Sequence, residues 1–312
     1  KRQEAQKVLR CACLTIHSSR CRFAERLNSS VRARMTASCR FNTVYLISSV
    51  KPGELNVASS LEESSLSEAA IRNSELSILK KNVASKVELL QELDEIASKC
   101  PAALPLLHLD LHGSFDFFEC ANGDRVSWLE IGDQLRKINT ACGLNLLVVV
   151  SACYGGYAAL ATQLMAPSPF FGLCGPLEEV SAGDLLDNYE RFYRRIFQTK
   201  DFDLALEALN EHSSVPYHGV PTRYLFKLGW SHYVGTLCSG AALKERIANV
   251  VEKALASGFP KSNLSQLRKR ARQFIGNPQA SFEQARDIFF MYDEHPNNRL
   301  RFPFAYEDLD HE

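Results

Sequence analysis

The sequence predicts an α/β protein built on a mostly parallel sheet with helices on both faces, followed by a helical carboxyl-terminal portion. Three observations predict it. Short apolar runs at 43–50, 106–111 and 144–152 alternate with segments whose apolar residues recur at helical spacing. Each run is closed by Gly, Pro or a Gly-Gly pair, and from about residue 201 the pattern turns almost wholly helical. Strands buried on both faces read as continuous apolar runs, and strand–helix alternation implies parallel neighbours joined by right-handed crossovers.

Taken in order, Thr43-Val-Tyr-Leu-Ile-Ser-Ser-Val50 is β-branched, ends at Pro52-Gly53 and is expected to open the sheet. Residues 56–74 are rich in Ser, Glu and Ala without periodicity, which predicts a loop. Leu76, Leu79, Val83, Val87, Leu90, Leu93 and Ala97 then recur at helical spacing, predicting a helix from about Ser74 that closes before Pro101. Leu106-Leu-His-Leu-Asp-Leu-His112-Gly113 reads as a buried strand with His112 at its carboxyl end. Asn122-Gly123, flanked by 115–120 and 125–128, signals a hairpin. Ser127 with Glu130 is a capping box, opening a helix that buries Trp128, Ile131, Leu135 and Ile138 and ends near Cys142-Gly143.

The stretch 144–153 is the most strand-like in the chain and places Cys153 at its carboxyl end, where Tyr154-Gly155-Gly156 breaks it before a helical turn at 158–165. A further strand at 170–175 and a long helix at 182–198 follow. Loops are expected around 215–222 and 258–263. The resulting division is a basic extension at 1–40, a core at 41–200, a helical portion of the same domain at 201–294 and a polar tail at 295–312.

Composition narrows the function. With 46% apolar residues and net charge zero, the chain has ample material for a core, and no apolar run approaches the roughly 20 residues of a membrane helix. The neutrality conceals an asymmetry: the first forty residues hold ten Lys/Arg against Glu4 and Glu25, leaving an acidic body. Met35 is the first Met, so residues 1–34 read either as sequence upstream of the true start or as an Arg- and Ser-rich targeting segment. Ten Cys at irregular spacings favour a reduced, cytoplasmic protein over a disulfide framework. Cys11, Cys13, Cys21, Cys39 and His17 fit no ordinary zinc motif.

His112 and Cys153 are the candidate catalytic pair. A thiol attacks carbonyls as thiolate, so it needs a base, and an imidazole can take the thiol proton and return one to a leaving amine. In open α/β sheets the carboxyl ends of strands line the ligand crevice, and both residues fall at such ends. Backbone N–H groups of Gly113 and Cys153 are the expected oxyanion donors. The two motifs, an apolar run into His112-Gly113 and Leu-Leu-Val-Val-Val-Ser-Ala-Cys153 41 residues later, resemble those of cysteine peptidases of the caspase, separase, gingipain and legumain group, and within it the CHAT domains of bacteria. Gly-Pro-Leu-Glu-Glu-Val180 and Phe192-Tyr193-Arg-Arg-Ile add to the likeness, which spans about residues 43–200. The resemblance implies a caspase-like fold, endopeptidase activity on a protein or peptide substrate without a cofactor, and a regulatory or defence role with a protein partner.

Either dipeptide alone says little: His218-Gly219 repeats the first motif, and Cys174 and Cys238 also follow apolar residues. His218 lies between Pro216 and Pro221, which predicts a loop, and Cys174 follows a shorter run. His108, Asp110 and His112 alternate onto one strand face, which leaves a zinc hydrolase as a rival. In the plainer account, His108 and Asp110 satisfy each other or nearby backbone and help orient His112. A catalytically silent binding module is the other alternative. Glu178, Glu179 and Asp184 could form an acidic pocket for Arg or Lys, or simply start a helix. The short Arg268-Lys-Arg-Ala-Arg272 run on a neutral chain argues for a solvated helix face rather than nucleic-acid binding.

Overall fold

The computed structural model describes residues 40–238 and 240–309. The basic extension, with its cysteines, its first Met and the two readings of its origin, lies outside the described residues apart from Arg40. The described chain divides into two compact units. One holds 40–162 with 168–224, the other 225–309 with 163–167.

The first unit is organised by strands β1 (Thr43–Ser49), β2 (Ser77–Asn82), β3 (Pro105–Gly113), β4 (Phe117–Glu119), β5 (Arg125–Ser127), β6 (Leu147–Ser151), β7 (Gly172–Pro176) and β8 (Tyr217–Pro221). The sheet runs β2-β1-β3-β6-β7-β8, parallel except for the last pair, and β4 and β5 extend from β3 as an antiparallel hairpin. β1, β6 and β7 are buried along their whole length, which is why they read as unbroken apolar runs. Helices cover both faces, giving a caspase-like α/β arrangement.

On one face Val44, Leu46, Leu106, Leu147, Val149 and Cys174 pack beneath α1 (Val57–Leu61), α5 (Ala182–Thr199) and α6 (Phe202–Asn210). The opposite face carries α3 (Lys86–Lys99), α4 (Trp128–Ala141) and the short 3-10 helix Gly155–Ala161. Between α1 and β2 come a π turn, Glu62–Leu66, and α2 (Ser67–Arg72).

Local chemistry explains these ends. The Ser127–Glu130 capping box forms in both directions, and Ser85 and Ser181 accept from Glu88 N–H and Asp184 N–H to start α3 and α5. Three expectations are corrected. Residues 57–72 are helical rather than a loop, because Asn56 caps Ser59 N–H and Val57, Ala58, Leu61 and Leu66 are buried. The segment from Ser77 is an edge strand and not a helix, with only its flanks Leu76 and Val83 buried, so the helix starts at Lys86. Tyr217–Pro221 is likewise a strand: an antiparallel edge tolerates Pro at its end, where no ladder N–H is required.

The second unit is helical: α7 (Thr222–Leu237, which begins in the first unit), α8 (Gly240–Ala256), α9 (Leu264–Ile275), α10 (Pro278–Phe289) and α11 (Asn298–Arg301). Phe226 contacts Phe282, Phe290 and Phe304 through its ring. Residues 302–309, expected in a polar tail, instead bury Phe302 and Phe304. Among the described residues no helix is long and apolar enough to cross a membrane.

Candidate active site

The carboxyl ends of β3 and β6 carry the site. These strands pair in parallel with Asp110 opposite Ser151, so two residues further on His112, near the end of β3, and Cys153, just past the end of β6, fall at corresponding positions. The backbone there is closely packed: a Cβ on Gly113 would stand 2.0 Å from the Cys153 carbonyl oxygen and 3.1 Å from the Ala152 methyl. Only glycine lets the two strand ends approach this far.

The hairpin settles which way the Gly113 amide points. Ser114 N–H donates to the Phe117 carbonyl at 3.0 Å, and Gly113 stands opposite Phe118, the next pair of the same antiparallel ladder. Hydrogen-bonded and non-hydrogen-bonded pairs alternate, so the Gly113 N–H and carbonyl face away from β4. Among the described residues no protein group accepts from the Cys153 N–H.

Past Cys153 the chain turns sharply. Tyr154 adopts the left-handed conformation at φ +59°, a strain of about 1–2 kcal/mol for a non-glycine residue, and donates its N–H to the Glu178 carbonyl at 3.2 Å. Gly155 and Gly156 have no room for side chains, lying against Val150 and Leu177. Phe115, from the loop after Gly113, packs tilted against the Tyr154 ring with centroids 4.0 Å apart, and Trp128 Nε1–H fixes that loop by donating to the Phe115 carbonyl at 2.7 Å. A cavity of about 360 Å³ opens here, lined by Gly113, Cys153, Tyr154, Glu179, Val180 and Ser181.

The thiol and the ring are not hydrogen-bonded to each other. Cys153 Sγ lies 3.5 Å from the Val180 carbonyl, while His112 Nε2 lies 2.8 Å from Glu54 Oε2. Glu54 stands just after the Pro52-Gly53 turn that follows β1. Its carboxylate also accepts from Lys51 N–H at 2.9 Å, and that bond together with the His112 contact holds its pKa below the ordinary carboxylate value. A carboxylate on Nε2 favours the tautomer with the proton there, leaving Nδ1 as the basic nitrogen. Sequence reasoning missed Glu54; nothing in the Glu-Leu-Asn context distinguishes it from any solvated carboxylate.

The other candidates separate by their surroundings. Glu179 lines the cavity and accepts from Tyr154 Oη at 3.3 Å. Glu178 is exposed and contributes its backbone carbonyl to the turn. Asp184 is engaged in the start of α5, accepting from Ser181 Oγ at 2.8 Å. The ladder of His108, Asp110 and His112 does not converge on a common point. His108 is fully buried with Nδ1 on Tyr193 Oη at 3.0 Å, and burial pushes its pKa down to about 3. Asp110 accepts from Ala58 N–H at 3.0 Å and Ser48 Oγ at 3.2 Å, and its burial raises the carboxyl to about 6. They do not satisfy each other, and the direct contact on His112 is Glu54. Among the described residues no cluster of three or more His, Cys, Asp or Glu side chains is arranged to hold a metal ion.

The decoys are resolved by burial. Cys174 is inside the core, where desolvation pushes its thiol far above the ordinary value, and His218 is half-buried on β8. Within the first unit, Cys153 is therefore the thiol that combines access to a cavity with a histidine on the neighbouring strand. Scanned against known protein families the chain matches no family model, and a search of curated proteins returns no match.

Proposed function

We propose that this chain is a cysteine endopeptidase of the caspase/separase/gingipain type, similar to the CHAT domains of that group. The observation that carries the reading is the meeting of Gly113 with the Cys153 carbonyl at the ends of paired parallel strands, beside a cavity that both residues line. In the reaction, His112 Nδ1 takes the Cys153 proton and the thiolate attacks the scissile carbonyl carbon. The oxyanion is received by the Gly113 and Cys153 amides. Collapse expels the amine, protonated by His112, and leaves a thioester that water hydrolyses with His112 as base. Side chains close before reaction: the Cys153 thiol leaves the Val180 carbonyl for Nδ1 of the ring, whose Nε2 stays on Glu54, as catalytic hydrogen bonds commonly tighten only with substrate bound.

The reaction requires no cofactor. The substrate is a protein or peptide, and Glu179 in the cavity favours Lys or Arg before the cleaved bond. By analogy with the resembled families, the role is regulatory or defensive in a bacterial cytoplasm, with a protein partner. One observation favours the alternative of a silent binding module: the ring rests on Glu54 and not on the thiol.

Cleavage of a complex peptide mixture, read by mass spectrometry, tests the proposal. New termini should appear with the wild-type chain and be absent with Cys153→Ala and with His112→Ala. Cleavage that survives Cys153→Ala but stops on adding a chelator would overturn it in favour of a metal hydrolase.

A further inference from the structure

The geometry points to Asp110 as a positioning residue that clamps both ends of the Glu54 segment and so holds the His112 ring in its basic tautomer. This rests on the reading of Cys153 and His112 as a catalytic pair. The Asp110 carboxylate is buried at 3% exposure between three pieces of chain. It accepts from Ser48 Oγ at 3.2 Å, near the end of β1, and from Ala58 N–H at 3.0 Å, in the first turn of α1. The residues between those two anchors, 49–57, form the excursion that presents Glu54 to His112. Asp110 itself precedes His112 by two residues on β3. One carboxylate therefore sets the distance between the strand that carries the base and the loop that orients it.

A buried carboxylate is a costly choice at a site where Asn or Ser could have filled the volume, because an ionised group loses its hydration there. Two charge-assisted hydrogen bonds offset part of that cost and are stronger than neutral ones. Glu54 also folds back onto its own turn through Lys51 N–H, so fixing the two ends of the segment fixes the carboxylate between them. The function of Asp110 is thus carried by the backbone of a neighbouring loop, without any contact to the reacting atoms.

The test is a double-mutant cycle read at Cys153, using site-resolved alkylation by iodoacetamide at neutral pH. Asp110→Asn should slow alkylation about tenfold in the wild-type chain, the loss expected when a charge-assisted bond is removed. In a Glu54→Ala background the same substitution should have an effect within about twofold, since the loop then has nothing to position. Nitrogen-15 spectra of the His112 ring supply a readout that general destabilisation does not move. The Nε2–H tautomer should dominate in the wild-type chain and lose its preference in Asp110→Asn. If Asp110→Asn does not fold, Ser48→Ala weakens the same clamp and should show the same coupling with a smaller slowing, about threefold.

A tenfold effect that persists undiminished without Glu54, or an unchanged tautomer, would overturn the clamp. Failure of the underlying reading looks different. In that case His112→Ala itself would leave Cys153 alkylation unchanged, whatever Asp110 does.

Discussion

Acidification should act on two neighbouring buried groups of β3 in opposite directions. His108 has an ordinary pKa of 6.5 but is held near 3 by burial. Below pH 6.5 the unfolded chain takes up a proton at this position that the folded chain refuses, so stability is lost as pH falls through that window. At about 1.4 kcal/mol per pH unit, the loss is about 3 kcal/mol by pH 4. Asp110 opposes it: its folded carboxyl sits near 6 against an ordinary 3.8. The folded chain takes up that proton first, and stability rises as pH falls from about 6 to 3.8, by an amount also on the order of 3 kcal/mol. The wild-type chain therefore shows little net slope from these groups between pH 6 and 4.

Replacing His108→Phe isolates one side. The ring still fits between Tyr189 and Tyr193, whose centroids lie 5.4 and 5.8 Å away, but Tyr193 Oη loses its partner at a cost of about 1–2 kcal/mol. The variant should thus be the less stable chain at pH 7.5 and the more stable one at pH 4, by about 1–2 kcal/mol each way, with the curves crossing near pH 5. Urea unfolding followed through Trp128, with Trp230→Phe removing the second of the two Trp, reads the first unit alone. A difference between the two chains that stays constant from pH 7.5 to pH 4 would refute the claim that burial keeps His108 neutral.

Two substitutions test the site's architecture. Gly113→Ala places a methyl 2.0 Å from the Cys153 carbonyl, so the strand ends must separate; a loss of about 2–4 kcal/mol in urea unfolding is expected together with loss of cleavage, and a wild-type midpoint would contradict the close approach. With fluorogenic peptides bearing Arg, Asp or Leu before the cleaved bond, the wild-type chain should prefer Arg, and Glu179→Lys should reduce that preference at least about tenfold. A wild-type preference for Asp would refute the acidic pocket.

Much of the fold was legible because its central strands are buried on both faces. The runs at β1, β3, β6 and β7 have no competing period, and the capping box at Ser127 announces α4 directly. Residues 57–72 hid their helix because the π turn at Glu62–Leu66 shifts the phase: Val57, Ala58 and Leu61 share one helical face, and the buried Leu66 falls out of step with them. β2 reads as a helix for the converse reason: as an exposed edge strand it shows no apolar alternation, and Leu76, Leu79 and Val83 happen to fall at helical spacing. At the site, the strand-end positions of His112 and Cys153 could be read from local punctuation. Glu54 could not, since its partner lies 58 residues away and only the folded loop brings them together. Nor did the alternation of His108, Asp110 and His112 reveal that the first two point into the core while the third is exposed.

Site-resolved alkylation of Cys153 by a small neutral electrophile, measured from pH 5 to 9 in the wild-type and His112→Ala chains, tests whether His112 activates Cys153. At neutral pH Cys153 should react about a hundredfold faster in the wild-type chain than in His112→Ala. Buried Cys174 should stay unlabelled in both. Equal rates at Cys153 in the two chains, or no reaction there at all, would contradict activation by His112.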